Sequence, residues 1–225
     1  MLNVMKIMKN HQPWTAFFVT GLVLASLTLA PARAQSTNAT QAGGQTSSAT
    51  TGTAKSQLMP TVNRMMDKLK AMRMTGDPDF DYVLLIRTHH LGEIELAQEA
   101  VKSLQNAGMK QLAQTLITRK QNEVNQLESA LKQIKPSRAN QAFVQSQNQK
   151  LEAMKLNFEQ GTLEKKLAGN VDTDYAMIML EHHRDAIDIT QDYLQYGKNQ
   201  TLRSLAQQIL TNAKSDSDQL KAVMK

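Results

Sequence analysis

The sequence predicts an all-α protein: a duplicated antiparallel helix bundle with a four-helix core and accessory helices. From Leu58 onward the chain is rich in Leu, Ala, Gln, Lys and Glu and holds few aromatic residues, a composition that favours helices. No segment shows the alternation of apolar and polar residues that is typical of a strand. The segment from residue 76 also recurs, without a gap, 93 residues further along the chain. A repeat of this kind indicates two copies of a helix pair.

The N-terminus has the features of a secretory signal peptide. Lys6 and Lys9 precede an uncharged run, WTAFFVTGLVLASLTLA, and the small-residue motif Ala-Arg-Ala follows shortly after it. We therefore predict that residues 1–34 are removed before Gln35, the alternative being an uncleaved membrane anchor. Cleavage would place the protein in the periplasm or outside the cell, without stable membrane insertion. It would also remove His11, one of the five histidines.

Charge and cysteine content narrow the classes of function. Removal of the predicted signal peptide lowers the net charge from +6 to +3, because that segment carries three basic residues and no acid. So small and dispersed a charge argues against nucleic-acid binding. The chain has no cysteine, which excludes disulfides and thiolate metal sites and leaves Met and His as the soft ligands. Five methionines lie between Met59 and Met74.

A linker and then a helical domain follow the predicted signal peptide. Residues 35–56 are Ser, Thr, Gly, Ala and Gln with a single charge, which predicts a disordered linker before the helical domain, residues 57–225. The motif TGDPD ends the first helix and starts the second, with Asp77 as N-cap and Pro78 in the first turn. The motif NAGM marks the next turn, where Gly108 is able to take a positive φ.

Three more breakers divide the rest of the domain. They are KPS, with Ser137 as the next N-cap, AGNVDTD from Ala168, and YGKN from Tyr196. The result is about six helices with short connections, the pattern of an antiparallel bundle.

The two copies of the repeat cover about residues 76–131 and 169–224. Their alignment superimposes one pair of adjacent histidines on another. After removal of the signal peptide no other histidine remains, and the four are His89, His90, His182 and His183. A pseudo-twofold axis between the copies would bring the two pairs together, close enough to share a metal ion.

Both histidine pairs lie on apolar helix faces. In the second copy they share a wide stripe with Tyr175, Met179 and Ile189. The other side of this helix is expected to face solvent: Glu181, Arg184, Asp185, Asp188, Gln191 and Asp192. In the first copy an acid, Glu93, interrupts the stripe one turn after His89.

Four imidazoles on apolar faces indicate a metal site more than a set of satisfied core residues, since each must find a partner or stay neutral when it is buried. Imidazole binds metal only when it is neutral, so binding is expected to weaken below about pH 6. The methionine cluster has two interpretations: a packing helix, or a thioether set in which Met65 and Met72, two turns apart, bind Cu(I).

The stretch GDPDFDYVLLIRTHHLGEIELA and its second copy, VDTDYAMIMLEHHRDAIDIT, resemble the hallmark of the bacterial domain-of-unknown-function family 305. The resemblance covers about Leu58 to Met224. It implies a ferritin-like duplicated bundle, export, and copper binding through His and Met linked to copper tolerance. Of the methionines that this family places around the histidines only Met179 remains, and Glu93 stands where the family has alanine. That exchange favours Cu(II), Zn(II) or iron over Cu(I).

The sequence thus predicts an exported metal-binding protein that buffers or carries copper, rather than an enzyme. The expected ligands are the four histidines, Glu93, Met179, Met65 and Met72. A helical interaction protein with a decayed site is the first alternative. A ferritin-like di-metal oxidase is the second, and it is disfavoured because neither histidine pair belongs to a Glu-x-x-His motif. The sequence does not decide between a monomer and a homodimer.

Overall fold

The computed structural model describes residues 53–135, 137–159 and 163–225. These ranges contain six α-helices, one short 3-10 helix and no strand, in the order α1 Thr53–Lys70, α2 Pro78–Val101, α3 Ala107–Leu131, α4 Gln141–Glu159, the 3-10 helix Glu164–Lys166, α5 Val171–Tyr196 and α6 Gln200–Val223. The prediction of an all-α protein with about six helices is confirmed. The predicted signal peptide and nearly all of the predicted linker lie outside the described residues.

Four helices form the core of the bundle. Helix α2 packs on α3 and α5, and α6 completes the ring by packing on the same two helices. Helices α2 and α5 are antiparallel, since Tyr82 near the start of α2 stacks on Tyr193 near the end of α5, with ring centroids 4.0 Å apart. Helix α1 covers α2, and α4 covers α5. The predicted four-helix core with accessory helices is therefore present.

Two aspartates join the repeats reciprocally. Asp79, in the first turn of α2, accepts hydrogen bonds from the backbone N–H groups of residues 198–199, in the loop before α6. Asp172, which is 93 residues later in the first turn of α5, accepts them from residues 105–106, in the loop before α3. Each repeat thus holds the other by the same contact. The sequence repeat is a pseudo-twofold symmetry of the structure.

The turns that precede α2 and α5 both depend on a glycine. Gly76 and Gly169 have φ angles of +87° and +79°, a region that L side chains rarely adopt. An acid five residues later holds each turn: Asp81 accepts the N–H of Gly76 at 2.7 Å, and Asp174 accepts that of Gly169 at 3.0 Å. These equivalent turns start the two histidine-bearing helices in equivalent places.

Two other predicted turns differ from the structure. Gly108 does not take a positive φ, because it lies inside the first turn of α3, which Asn106 caps. The side chain that caps α4 is that of Asn140. The prediction of Ser137 as this cap was wrong: Ser137 lies before the cap position, and its backbone N–H donates to Asp77. Asp77 itself caps α2 as predicted. None of the helices in the described part of the chain is long and apolar enough to cross a bilayer.

Candidate metal centre

All four histidines are fully buried in the middle of the bundle. Because α2 and α5 are antiparallel, the middle of one helix meets the middle of the other. The rings of His89 and His182 lie edge to face, with centroids 5.3 Å apart and planes at 77°. The expectation that the two pairs meet between the repeats is confirmed.

One group of potential ligands spans the two repeats. His89, His182 and Asp185 each offer a ligand atom within 4.8 Å of the others. Within the described part of the chain, five of their buried polar atoms have no hydrogen-bond partner: both ring nitrogens of His89, both of His182, and Oδ2 of Asp185. Phe158 of α4 stacks on the ring of His182 at 5.2 Å and closes the site on that side.

Burial determines the protonation of this group. It lowers the pKa of His182 to about 4 and that of His89 well below its usual range. Both imidazoles are therefore neutral at pH 7, which is the form that binds a metal ion. Burial also raises the pKa of Asp185 to about 8, because its effect is larger than that of the nearby Arg184 guanidinium, which acts to lower the pKa. In the absence of a metal ion, the group of two imidazoles and one carboxyl thus carries almost no net charge at pH 7.

The burial of Asp185 differs from what the helical wheel of α5 predicted. We expected it to face solvent, but its exposed fraction is only 6%. Helix α4 covers this side of α5, and Ser146 and Gln147 of α4 bind the equally buried Asp192. A cavity of about 100 Å³ between α4 and α5 reaches Asp185.

A second group surrounds His90. Its Nδ1 lies 3.0 Å from Glu93, and its Nε2 lies 3.0 Å from Glu123 of α3. The ammonium of Lys120 lies 3.6 Å from the first carboxylate and 3.3 Å from the second. His89, His90 and Glu93 also offer ligand atoms within 4.8 Å of one another. Unlike the group around Asp185, this one already contains opposite charges.

Those contacts shift the pKa values of the second group. Burial raises the pKa of both carboxyls, but Lys120 and His90 outweigh it. The pKa of Glu123 falls to about 2 and that of Glu93 falls well below its usual range. Burial and Lys120 lower the pKa of His90, but Glu123 and Glu93 outweigh them and raise it. His183, whose Nε2 is 3.8 Å from Glu93, has a pKa lowered by burial to about 3.

Lys120, Glu123 and Asp216, which lie on α3 and α6, were not predicted as site residues from the sequence. Each is buried, and Asp216 lies 3.9 Å from the Lys120 ammonium and pairs with Arg119. A signal was present. Lys120 and Glu123 stand at helical spacing in an apolar stripe of α3, as Glu93 does in α2.

The three predicted methionine ligands lie on or beside two helices, α1 and α5. Met65 is buried against Gly92 of α2, so closely that a Cβ on this glycine would collide with its thioether. Helix α1 ends at Lys70, so Met72 is not two helical turns from Met65, as predicted, but lies beyond the helix end. Met179 is buried in the core, one turn before His182.

The fold and the site together define a duplicated helix bundle with buried histidine–carboxylate groups that could hold a metal ion. The chain matches the family described as Domain of unknown function (DUF305) twice, over residues 27–131 and 130–224. The protein therefore belongs to this family, and its two repeats are two copies of the family's domain. A search of curated proteins and a search of solved structures each found no significant match.

Proposed function

We propose that the protein binds one divalent transition-metal ion between its repeats, with His89, His182 and Asp185 as ligands. The observation that carries the proposal is the set of five buried polar atoms without a hydrogen-bond partner on these three side chains. A buried polar group left unsatisfied costs about 1–3 kcal/mol. One ion would bind three donors at once and would also stabilise the ionised form of Asp185.

The donor set bears on the identity of the ion. Two imidazoles and a carboxylate suit Cu(II) and Zn(II), whereas Cu(I) prefers thioethers and thiolates. We propose that the bound ion is Cu(II), with Zn(II) or iron as alternatives. Met179, one turn before His182, is the methionine best placed along the chain to add a soft donor.

The proposed role is metal homeostasis outside the cytoplasm. The basic start, the apolar run and the Ala-Arg-Ala motif before Gln35 support export to the periplasm. Without disulfides or thiolates, a buried histidine–carboxylate site is a suitable way to hold copper in that compartment. The protein would then act as a copper buffer or carrier.

Binding is favoured over catalysis by one contact. The described residues do bring Glu93, Glu123 and Asp216 together, and di-metal oxidases use carboxylates from several helices. However, the ammonium of Lys120 lies among these three carboxylates. A positive charge in that place opposes a second metal ion.

Titration of the purified protein with Cu(II) and Zn(II), read by native mass spectrometry and calorimetry, tests the proposal. We expect one equivalent to bind tightly, and His182→Ala or Asp185→Asn to weaken binding at least about 100-fold, a loss of roughly 3 kcal/mol. His183→Ala is the matched control, because His183 is an equally buried imidazole outside the ligand group. A Met65→Leu, Met72→Leu variant should retain divalent binding. A wild-type protein that binds neither ion would support the interaction-protein alternative and refute the proposal.

A further inference from the structure

We propose that Lys120 is a resident cation: its ammonium fills a second, carboxylate-lined cation site and so keeps that site closed to metal ions. The site is formed by Glu93, Glu123 and Asp216 and is called the acid cage below. The proposal rests on the function proposed above only in one respect, the expectation that the wild-type protein binds a single ion.

The acid cage has the geometry of a cation site. Its carboxylates come from three different helices, α2, α3 and α6, and lie 3.6, 3.3 and 3.9 Å from the Lys120 ammonium. All four side chains are no more than 1% exposed. The ammonium nevertheless has no hydrogen-bond partner within the described residues. It thus lies among the three acids at ion-pair distance, as a positive charge that offsets part of theirs.

The internal symmetry separates the residues of the acid cage into those that both repeats carry and those that only the first repeat carries. A shift of 93 residues places Glu123 on Asp216, so both repeats carry this acid. Each has its own partner, and the partners are also equivalent by the shift: Asn212 donates to Glu123, and Arg119 pairs with Asp216.

The same shift places Glu93 on Ala186 and Lys120 on Ala213. The second repeat fills these two positions with small apolar side chains. The first repeat fills both with opposite charges that lie 3.6 Å apart. A buried acid without compensation is costly, and a cation beside it offsets that cost. Lys120 therefore does in the first repeat what a bound cation would do.

Removal of the ammonium should convert the acid cage into a metal site. Without Lys120, the guanidinium of Arg119 is the one lysine or arginine cation within ion-pair distance of these three buried carboxylates among the described residues. His90 lies beside them, with nitrogens 3.0 Å from Glu93 and Glu123. Carboxylate-rich sites with one imidazole suit hard divalent ions such as Mn(II). Lys120→Met keeps a side chain of similar length and removes the charge, and the thioether that it introduces is a poor ligand for a hard ion such as Mn(II).

The experiment uses the full-length chain with His182→Ala in the background, so that the site proposed between the repeats is disabled. Mn(II) is the added ion, read by electron paramagnetic resonance and by metal analysis of the purified protein. We expect no Mn(II) to bind to the His182→Ala parent and one equivalent to bind to the Lys120→Met, His182→Ala variant. Adding Glu93→Ala, which restores the alanine of the second repeat, should abolish the gained binding.

Two results would overturn the proposal. One is a folded Lys120→Met, His182→Ala variant that binds no Mn(II); the other is a parent that binds Mn(II) equally well with Lys120 in place. If the variant is unfolded in chelator, circular dichroism with added Mn(II) decides: recovery of helix supports the acid cage, and no recovery, while the Glu93→Ala version folds, contradicts it. Failure of wild-type Cu(II) or Zn(II) binding would refute only the function proposed above, because the Mn(II) readout does not depend on His182.

Discussion

The ring centroids of His89, in the first repeat, and His182, in the second, lie 5.3 Å apart at the centre of the bundle. Neither ring has a hydrogen-bond partner within the described residues. The reciprocal contacts of Asp79 and Asp172 lie at opposite ends of the antiparallel pair α2 and α5. They hold the two helices in the register that brings these rings together. A ligand set that is already assembled loses little conformational entropy when an ion binds. The relationship between these two rings is therefore the basis of the predictions on metal binding.

The first prediction concerns the pH dependence of metal affinity. The sequence alone suggested that affinity would fall below about pH 6, as the imidazoles gain protons. In the structure the pKa of His182 is about 4 and that of Asp185 is about 8. At pH 7 the carboxyl group, not the imidazole, carries the proton that an ion must displace. Affinity should therefore rise about tenfold from pH 6 to pH 7, where about one proton is released per ion, and should rise less steeply as the pH approaches 8.

Calorimetry in buffers of different ionisation enthalpy measures that proton directly. The residual binding of Asp185→Asn should release no proton over the same range, because the amide does not titrate. An affinity that is constant from pH 6 to pH 8 in the wild type would contradict the assignment of Asp185 as a ligand.

The second prediction is that Asp185 lowers the stability of the metal-free protein. Its folded pKa of about 8 is above the ordinary value of 3.8, so the folded state holds a proton that the unfolded state has lost. Stability from this group is complete below pH 4 and is lost as the pH rises towards 8. We expect Asp185→Asn to raise the free energy of unfolding at pH 8 by about 1–3 kcal/mol.

Urea unfolding in chelator at pH 5 and pH 8 tests this effect, and the gain should be larger at the higher pH. Asp218→Asn, which changes a largely exposed acid of α6, is the control and should change stability little. A variant that is less stable than the wild type at pH 8 would show that the ionised carboxylate is satisfied in the fold.

The positions of these groups show what the sequence could and could not predict. The repeat, the turn residues and the apolar stripes were sufficient for the fold and for the meeting of the histidine pairs, because these features depend on local chemistry and internal symmetry. The burial of Asp185 depends on α4, and a helical wheel of α5 alone carries no information about its neighbours. The partners of Lys120 depend on how α3 and α6 align, since Arg119 meets Asp216 while Glu123 meets Asn212.

The third prediction concerns stability in acid. Burial lowers the pKa of His183 to about 3, below its ordinary value of 6.5, so the unfolded state takes up this proton first. Stability is therefore unaffected above pH 6.5 and is lost as the pH falls towards 3. Replacement by Gln, which does not titrate, should reduce the loss between pH 6.5 and pH 4.5 by about 1–2 kcal/mol.

Urea unfolding of His183→Gln and wild type, in chelator, at several values of pH measures the difference in slope. Because His183 lies outside the proposed ligand group, the same variant should keep its Cu(II) affinity at pH 7.5. Parallel pH profiles for the two proteins would mean that His183 finds a partner for its charged form.

The fourth prediction concerns the two aspartates that join the repeats. The carboxylate of Asp79 accepts a hydrogen bond from the hydroxyl of Tyr193 at 2.7 Å as well as from backbone N–H groups. Among the described residues, Asp172 accepts from backbone N–H groups alone. Replacement of either by Ala leaves backbone donors of the opposite repeat without their partner. Each loss should cost about 1–3 kcal/mol of unfolding free energy, with Asp79→Ala the more destabilising because the Tyr193 hydroxyl is also left unpaired.

Thermal unfolding of the two single variants and the double variant measures these costs. Asp67→Ala, on the exposed side of α1, is the control for loss of an acid and should have a small effect. The contacts set the register between α2 and α5, so each variant should also weaken Cu(II) binding, although no ligand is changed. A variant that loses stability but binds Cu(II) with wild-type affinity would show that packing around Tyr82 and Tyr193 alone keeps His89 opposite His182.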